Sequence, residues 1–209
     1  MLKRFSSNIL EEEIMRIKAI CAIMAVIALS LSSGGAQAFD EIEKAEFSFY
    51  AALAGSTMRQ DSNSESVGMR AGLGASAGLY LMKELELEGG FTWYLVEGSY
   101  DNLAGYRWYV NSNPLYFNVV GHFELDRDSE VYLGGGLNMS FWSLHSETGG
   151  HEVSVNPGIG HQLFVGLRAE YLFIEAGLMN TVGTVQDESF DRLELNDTYF
   201  SFGIAISEL

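Results

Sequence analysis

The sequence predicts an all-β chain: an eight-stranded antiparallel up-and-down transmembrane β-barrel preceded by a cleavable signal peptide. Three observations lead to this fold class. Apolar residues alternate with small or polar ones along eight segments, which is the period of a β-strand and not of a helix. The connections between these segments are alternately short and long, and a short apolar run stands near the N-terminus.

The segment before the first strand is typical of a secretory signal. Arg16 and Lys18 precede the apolar run Ala19–Leu31, and the small-x-small stretch Ala36–Ala38 follows it. Basic, apolar and small residues in this order characterise a signal peptide. The run holds 13 residues, whereas a membrane-spanning helix needs about 20 apolar residues. We therefore predict that residues 1–38 are an N-terminal extension and signal peptide.

Cleavage after Ala38 leaves residues 39–209 as the predicted barrel domain. The three glutamates Glu11–Glu13 do not suit the basic start of a signal peptide, so we predict that translation begins at Met15. The single cysteine, Cys21, lies inside the predicted signal. The mature chain would then contain no disulfide, no thiolate metal site and no cysteine nucleophile.

Composition and charge exclude several classes of protein. The chain is 47% hydrophobic and 19% charged, which does not fit a disordered chain or a coiled coil. It carries 28 acidic and 12 basic residues, a formal net charge of −16. Nucleic-acid binding requires a basic surface that neutralises phosphates, so no nucleic-acid partner is expected.

Each of the eight segments has one apolar face and one face of small or polar residues. The apolar faces begin, in chain order, at Ala45, Val67, Leu85, Leu115, Val131, Leu163, Ile174 and Phe200, and repeat at every second residue. The segments are close to the roughly 9–11 residues that cross a bilayer at a tilt. The seventh is the weakest, because its alternation is lost after Asn180.

The connections alternate between two lengths. Short turns are predicted at Met82–Glu84, Asp126–Ser129 and Leu172–Phe173. Long loops are predicted at about residues 57–66, 97–113, 144–157 and 183–197. An even number of meandering strands with short turns at one end and long loops at the other is the plan of a transmembrane barrel.

The composition of the second face indicates whether the apolar side chains point into the barrel or out of it. A soluble lipocalin-type barrel also alternates, but its apolar face points inward and its polar face meets water. Here the second face is mostly glycine, alanine, serine and tyrosine, which suits a narrow interior better than a solvated surface. We therefore predict that lipid contacts the apolar face, including the aromatic residues Phe47, Phe49, Trp93, Phe117, Phe123, Phe141, Tyr171, Phe200 and Phe202.

The same alternation assigns a polar network to the barrel interior. Its predicted members are Glu46, Arg70, Glu86, Glu88, His122, Glu124, Arg168, Glu170 and Glu175. Buried carboxylates need partners, and each arginine can bridge two of them. The network is therefore predicted to plug the lumen. The alternative is a narrow, acidic passage that prefers cations.

With these features in place, the chain resembles the OmpA/OmpX-type eight-stranded outer-membrane β-barrel superfamily. The signal peptide, the eight alternating strands, the glycine-rich inner face and the closing stretch Tyr199–Ile206 carry the resemblance. It implies an OmpA-like monomer in the cell outer membrane of a Gram-negative-type bacterium. It also implies contacts with outer-membrane lipid and, during biogenesis, with the barrel-assembly machinery. One departure is the C-terminus, which is Ser207–Leu209 and not the terminal phenylalanine of many such barrels.

One group of residues has the composition of a hydrolase triad. It is Ser143–Glu147, with His151 and Glu152 close by. Lipid A deacylases of the outer membrane carry a His-x-Ser arrangement on a strand, whereas His145 and Ser146 are adjacent here. Neighbours on a strand point to opposite faces, so we interpret the group as solvated loop residues and predict no catalytic residue.

No motif in the sequence indicates a metal or a cofactor. The acidic loops lack the ligand spacing of a calcium loop, and Gly72–Gly74 and Gly134–Gly136 lie within predicted strands. We predict a non-enzymatic protein with a role in envelope integrity or in surface interaction, through loops that contact an extracellular ligand. The alternatives are a porin-like, cation-preferring channel and a lipid-modifying hydrolase.

Overall fold

The computed structural model describes residues 44–60, 63–101, 107–147, 152–153, 155–185 and 192–208. The predicted signal peptide and the predicted start at Met15 lie outside these residues. Every regular element in the described ranges is a β-strand. Within those ranges, no helix is long and apolar enough to cross a membrane.

Ten strands are present, and eight of them are long. In chain order they are β1 (Lys44–Gln60), β2 (Asn63–Met82), β3 (Leu85–Val96), β4 (Gly98–Asp101), β5 (Arg107–Glu124), β6 (Ser129–Ser146), β7 (Glu152–Val153), β8 (Gly158–Ala169), β9 (Leu172–Gly183) and β10 (Leu193–Glu208). The two short strands are additions to this set. Strand β4 runs along β5 just after β3 ends, and β7 pairs with two residues of β6.

The eight long strands close into a ring. All their pairings are antiparallel, and each long strand is hydrogen-bonded to two others. The closing pair joins β1 to β10 over 16 residues, from Ala45 opposite Glu208 to Gln60 opposite Leu193. Closure of this kind removes the free strand edges of an open sheet. The predicted eight-stranded antiparallel barrel is therefore confirmed.

The two ends of the barrel differ in the length of their connections. At one end, here called the turn end, the long strands are joined by residues 83–84, 125–128 and 170–171. At the other end, here called the loop end, the strands extend well beyond their predicted limits. Residues 57–66, predicted as a loop, lie almost wholly in β1 and β2, and β10 begins at Leu193.

The predicted extents of these loops are wrong for a physical reason. The wall of the loop end carries polar outward residues, such as Thr57, Arg59 and Asn196. A search for an alternating apolar face cannot find a strand whose outward side chains meet water. The turn predicted at residues 172–173 is likewise displaced, since it lies at residues 170–171, where Glu170 has a φ of 54°.

A β-bulge in β2 changes the direction of one side chain. The β1–β2 ladder shifts register beside Thr57, so that Val67 has no partner in β1. Gly68 has a φ of 72°, a conformation that glycine adopts readily in a bulge. Val67 was predicted to share the outward face of Met69, but it is fully buried, whereas Met69 is 65% exposed. The prediction was wrong because the extra residue reverses the alternation.

A second irregularity lies between β3 and β5. Their ladder ends at Phe91 opposite Leu115, close to a proline at position 114 that has no N–H to donate. Beyond that point, side chains of β5 take over from its backbone. The Tyr94 N–H donates to Asn113 Oδ1 at 2.9 Å, and Asn111 Nδ2 donates to the Tyr94 carbonyl at 2.8 Å.

Candidate functional site

The outer face of the barrel is an apolar belt that runs around the long strands. Leu137 and Leu163, for example, are 67% and 64% exposed. Of the aromatic residues predicted to face lipid, Phe141 is half-buried and the others are exposed: Phe47, Phe49, Trp93, Phe117, Phe123, Tyr171, Phe200 and Phe202. An apolar surface of this extent is costly in water, and a lipid bilayer is the environment that accommodates it.

The lumen is filled in layers, and the inward side chains of β1 mark their order. Glu46 lies in the layer at the turn end, Tyr50 lies in a middle layer, and Ser56 lies beside a buried arginine. Met58 belongs to an apolar cluster at the loop end. Glu46 and Met58 are 12 residue steps apart, about 40 Å along the strand at 3.3 Å per residue, so the filling extends along most of β1.

The turn-end layer is a network of ions. Arg168 contacts two carboxylates: its Nη2 lies 2.6 Å from Glu46 Oε1, and its Nη1 lies 2.9 Å from Glu130 Oε1. His122 joins Glu130 to a further carboxylate, with ring nitrogens 3.1 Å from Glu130 and 2.8 Å from Glu86. Each of these carboxylates therefore has a cation or an imidazole beside it. We call this group the turn-end network.

Not all the predicted members of the interior network lie in the lumen. Glu124 is exposed and forms an ion pair of 2.7 Å with Lys83, and Glu170 is exposed in a turn. Alternation assigned both side chains to the interior. Both residues lie where a strand ends, and there the side chain reaches water whichever face it belongs to. Conversely, Glu130 was missed. It lies two residues before the inward residue Tyr132 on the same strand, so alternation could have placed it on the inner face.

A second ion pair lies toward the loop end. Arg70 is completely buried, and its Nη2 pairs with Asp197. Its Nε donates to Ser56 Oγ at 3.0 Å, its Nη1 donates to the Ser112 carbonyl at 3.1 Å, and its guanidinium lies 4.3 Å from the centroid of the Tyr94 ring. Asp197 was predicted to lie in a loop, which is wrong because β10 begins four residues before it.

The middle layer consists of aromatic and amide side chains. The Tyr50 hydroxyl bonds to the Tyr116 hydroxyl and to Thr92 Oγ1, both at 2.9 Å. These rings fit because glycines face them: a Cβ on Gly74 would lie 2.1 Å from Cζ of Tyr50. The glycine-rich inner face predicted from the sequence therefore makes room for large rings.

Two predicted network residues, Glu88 and Glu175, lie in this middle layer. Glu88 accepts a hydrogen bond from Asn118 Nδ2 at 2.8 Å, and Glu175 accepts one from the Tyr199 hydroxyl at 2.9 Å. Both line two small cavities, of about 40 and 20 Å³. Within the described residues, neither carboxylate forms an ion pair.

An apolar cap closes the lumen at the loop end. Its buried members are Met58, Val67, Val110, Trp142, Leu144, Val185, Leu193 and Leu195. Tyr100 packs against the cap, where burial, aided by the charge of Glu65, raises the pKa of its hydroxyl to about 12. The strand extensions that sequence alternation missed supply most of this cap.

The candidate triad residues of the sequence lie on the loop-end wall. Ser146 is buried while His145 is partly exposed, so the two adjacent residues point to opposite faces as expected. His151 lies outside the described residues, as does the side chain of Glu152. His145 instead contacts Glu97, with 3.5 Å between Nε2 and Oε2, a contact that sequence reasoning missed because 48 positions separate the two residues. Within the described ranges, no group of three or more histidine, cysteine or acidic side chains is placed to hold a metal ion.

Solved structures of outer-membrane proteins share this architecture. The chain is similar to outer membrane protein OprG from Pseudomonas aeruginosa, with a TM-score of 0.57 and 10% identity over 80% of this chain and 97% of that one. It is also similar to Neisserial surface protein A, with a TM-score of 0.51 and 14% identity over 76% of this chain and 96% of that one. No protein-family model matches the sequence, and no curated protein is significantly similar to it. At these identities the likeness shows the fold.

The fold is thus that of an eight-stranded β-barrel similar to these outer-membrane proteins, which is the fold that the sequence resemblance implied. Ring closure and the exposed apolar belt independently indicate a barrel whose outer wall is embedded in lipid. The bilayer that holds barrels of this plan is the bacterial outer membrane.

Proposed function

We propose that the protein is a non-conducting outer-membrane barrel that acts in envelope integrity or in surface interaction through its loop end. The filled lumen supports this proposal more than any other observation. The turn-end network, the middle layer, the Arg70–Asp197 pair and the apolar cap follow one another along β1. A lumen occupied in this way leaves the loop-end wall and the outer face as the surfaces available to a partner.

The size of the two cavities that Glu88 and Glu175 line supports the same conclusion. A cavity measured in this way needs a volume of about 10–15 Å³ to hold one water molecule. The two cavities, of about 40 and 20 Å³, therefore hold only a few water molecules. An eight-stranded barrel is just wide enough for its own side chains, and this one contains several large rings.

Single-channel recording in planar bilayers tests the proposal. The purified, folded protein is expected to give no conductance steps in potassium chloride at any applied voltage. Flotation of the same preparation with lipid vesicles on a density gradient verifies that the protein inserts into lipid. Reproducible steps from the unmodified protein would contradict the proposal.

The alternative function is a narrow passage for cations. The observation that favours it is the pair Glu88 and Glu175, which line both cavities without an ion-pair partner in the described part of the chain. If the unmodified protein conducts, the alternative predicts selectivity for potassium over chloride. The double variant Glu88→Gln, Glu175→Gln should then lose that selectivity while its barrel stays folded.

A further inference from the structure

The outer wall near the loop end carries a cluster of polar side chains that the proposed function does not use. On β6, the side chains of Trp142, Leu144 and Ser146 are buried inside the barrel. By the alternation of a strand, Ser143 and His145 therefore stand together on the outer face. Two residues of strand separate their Cα atoms by about 7 Å, so the side chains are neighbours on that face.

His145 is fixed by two contacts from other strands. Its Nε2 lies 3.5 Å from Oε2 of Glu97, which stands between β3 and β4. Its ring stacks on the ring of Tyr109 in β5, with centroids 5.3 Å apart and an interplanar angle of 23°. The imidazole is thus held by a carboxylate at one nitrogen and by an aromatic ring on one face. Because Glu97 contacts Nε2, Nδ1 is the ring nitrogen that can act as a base.

The ladder brings the third side chain to the same place. Asn111 of β5 lies opposite Ser143, and the next residue of β5 toward the loop end, Val110, lies opposite Gly98, the residue after Glu97. Glu97 and Ser143 therefore flank one position of β5 on the outer wall. Ser143, His145 and Glu97, here called the outer-wall triad, come from two separate parts of the chain, which the pairing of β4 and β6 with β5 places close together.

We propose that the outer-wall triad is an esterase site that hydrolyses acyl esters of membrane lipid. Ser143 is the nucleophile, His145 is the general base, and Glu97 orients the imidazole and stabilises its charged form. These are the roles of a serine, a histidine and a carboxylate in a hydrolase triad, which is recognised by geometry and not by order in the sequence. This activity goes beyond the proposed function, which requires no catalysis.

The reaction proceeds in two balanced steps. The Ser143 Oγ forms a bond to the ester carbonyl carbon as its proton passes to His145 Nδ1. The ester C–O bond then breaks, and the leaving alcohol takes that proton. A water molecule next adds to the acyl-serine and gives a proton to His145, which returns it to Oγ as the fatty acid leaves. Glu97 remains a carboxylate throughout.

The position of the triad on the wall identifies the substrate class. Leu95 and Val96, just before Glu97 in the chain, are 60% and 54% exposed, and Met139 is exposed on β6 four residues from Ser143 toward the turn end. The triad therefore lies at the edge of the apolar belt that faces the loop end, where hydrocarbon gives way to water. A lipid whose acyl chains lie along the belt presents its ester groups at this level.

Two measurements on the refolded full-length protein in detergent micelles test the proposal. A long-chain alkyl fluorophosphonate, which reacts with activated serines, is expected to label Ser143, as located by mass spectrometry of peptides. Release of fatty acid is measured from two substrates, phospholipid vesicles and purified lipopolysaccharide, because both carry acyl esters. The substrate that is cleaved identifies the source of the ester.

Variants separate catalysis from folding. Ser143→Ala should abolish the label, and His145→Ala or Glu97→Gln should slow fatty-acid release by at least about a hundredfold. Ser146→Ala is the matched control, since that adjacent serine faces the lumen and its loss should leave the rate unchanged. A heat-dependent gel shift verifies that each variant is folded. Folded protein that neither takes the label nor releases fatty acid, or a label that persists in Ser143→Ala, would overturn the proposal.

Discussion

Arg168 joins several residues of the turn-end network. Its guanidinium contacts Glu46 and Glu130, and it donates to the Tyr80 hydroxyl at 2.9 Å. Its removal would leave buried carboxylates without their cation, a change that costs about 3–5 kcal/mol when one partner of a buried pair is lost. We therefore predict that Arg168→Ala lowers the temperature at which the barrel unfolds in detergent, measured by circular dichroism or by the loss of the folded gel band.

The control for this prediction is Lys83→Ala. Lys83 forms an exposed ion pair with Glu124, and such pairs contribute about 0–1 kcal/mol because water screens them. The two variants remove one positive charge each from the same end of the barrel. Equal effects on the unfolding temperature would show that the turn-end network does not stabilise the barrel.

Single residues also show what the sequence could and could not reveal. The inward position of Glu46, Glu86 and His122 follows from alternation alone. Glu130 and Asp197 fall on the inward positions of their strands. They lie near strand ends, where few outward residues are apolar and the alternation is therefore weak. Asp197 reaches Arg70 only because β10 pairs with β1, and Glu130 reaches Arg168 because β6 pairs with β8. No local pattern contains either pairing.

At the scale of a strand, the bulge in β2 is the feature that alternation could not predict. Gly68 has a φ of 72°, which costs a residue with a Cβ roughly 1–2 kcal/mol. We predict that Gly68→Ala destabilises the barrel by about that amount in urea unfolding from lipid vesicles. Gly55→Ala is the matched control, because its new Cβ would have no neighbour nearer than 4.0 Å and its φ is not positive. If both variants are equally stable, the bulge does not require glycine.

The place where the β3–β5 ladder ends leads to a second prediction, which concerns the side chain that replaces the ladder. The Tyr94 N–H finds its acceptor in the side chain of Asn113, and an unpaired backbone group within a membrane wall is costly. Asn113→Ala should therefore cost about 1–3 kcal/mol and speed amide hydrogen exchange at Tyr94. Asn180→Ala on the outer face of β9 is the control, because its side chain bonds only to other side chains there. Unchanged exchange at Tyr94 would contradict this interpretation.

For the whole molecule, the hydrophobic pattern predicted the number of long strands, their antiparallel order and the direction of each face. It predicted the position of each turn at the turn end to within two residues, as at residues 83–84, because the apolar belt continues to that end. It failed at the loop end, where β10 begins at Leu193 and where outward residues such as Asn196 are polar. The outer-wall triad was hidden for a different reason, since Glu97 and His145 come together only when β4 and β6 pair with the two sides of β5.

The central claim for the whole molecule is a closed barrel whose apolar belt lies in the outer membrane. The most direct test is to fractionate cells and compare boiled with unboiled outer-membrane samples on a detergent gel. We predict that the protein is found in that fraction and that the unboiled form migrates differently, because a closed ring of paired strands resists detergent until it is heated. A soluble periplasmic protein with no heat-dependent shift would contradict the claim and would reverse the assignment of both faces.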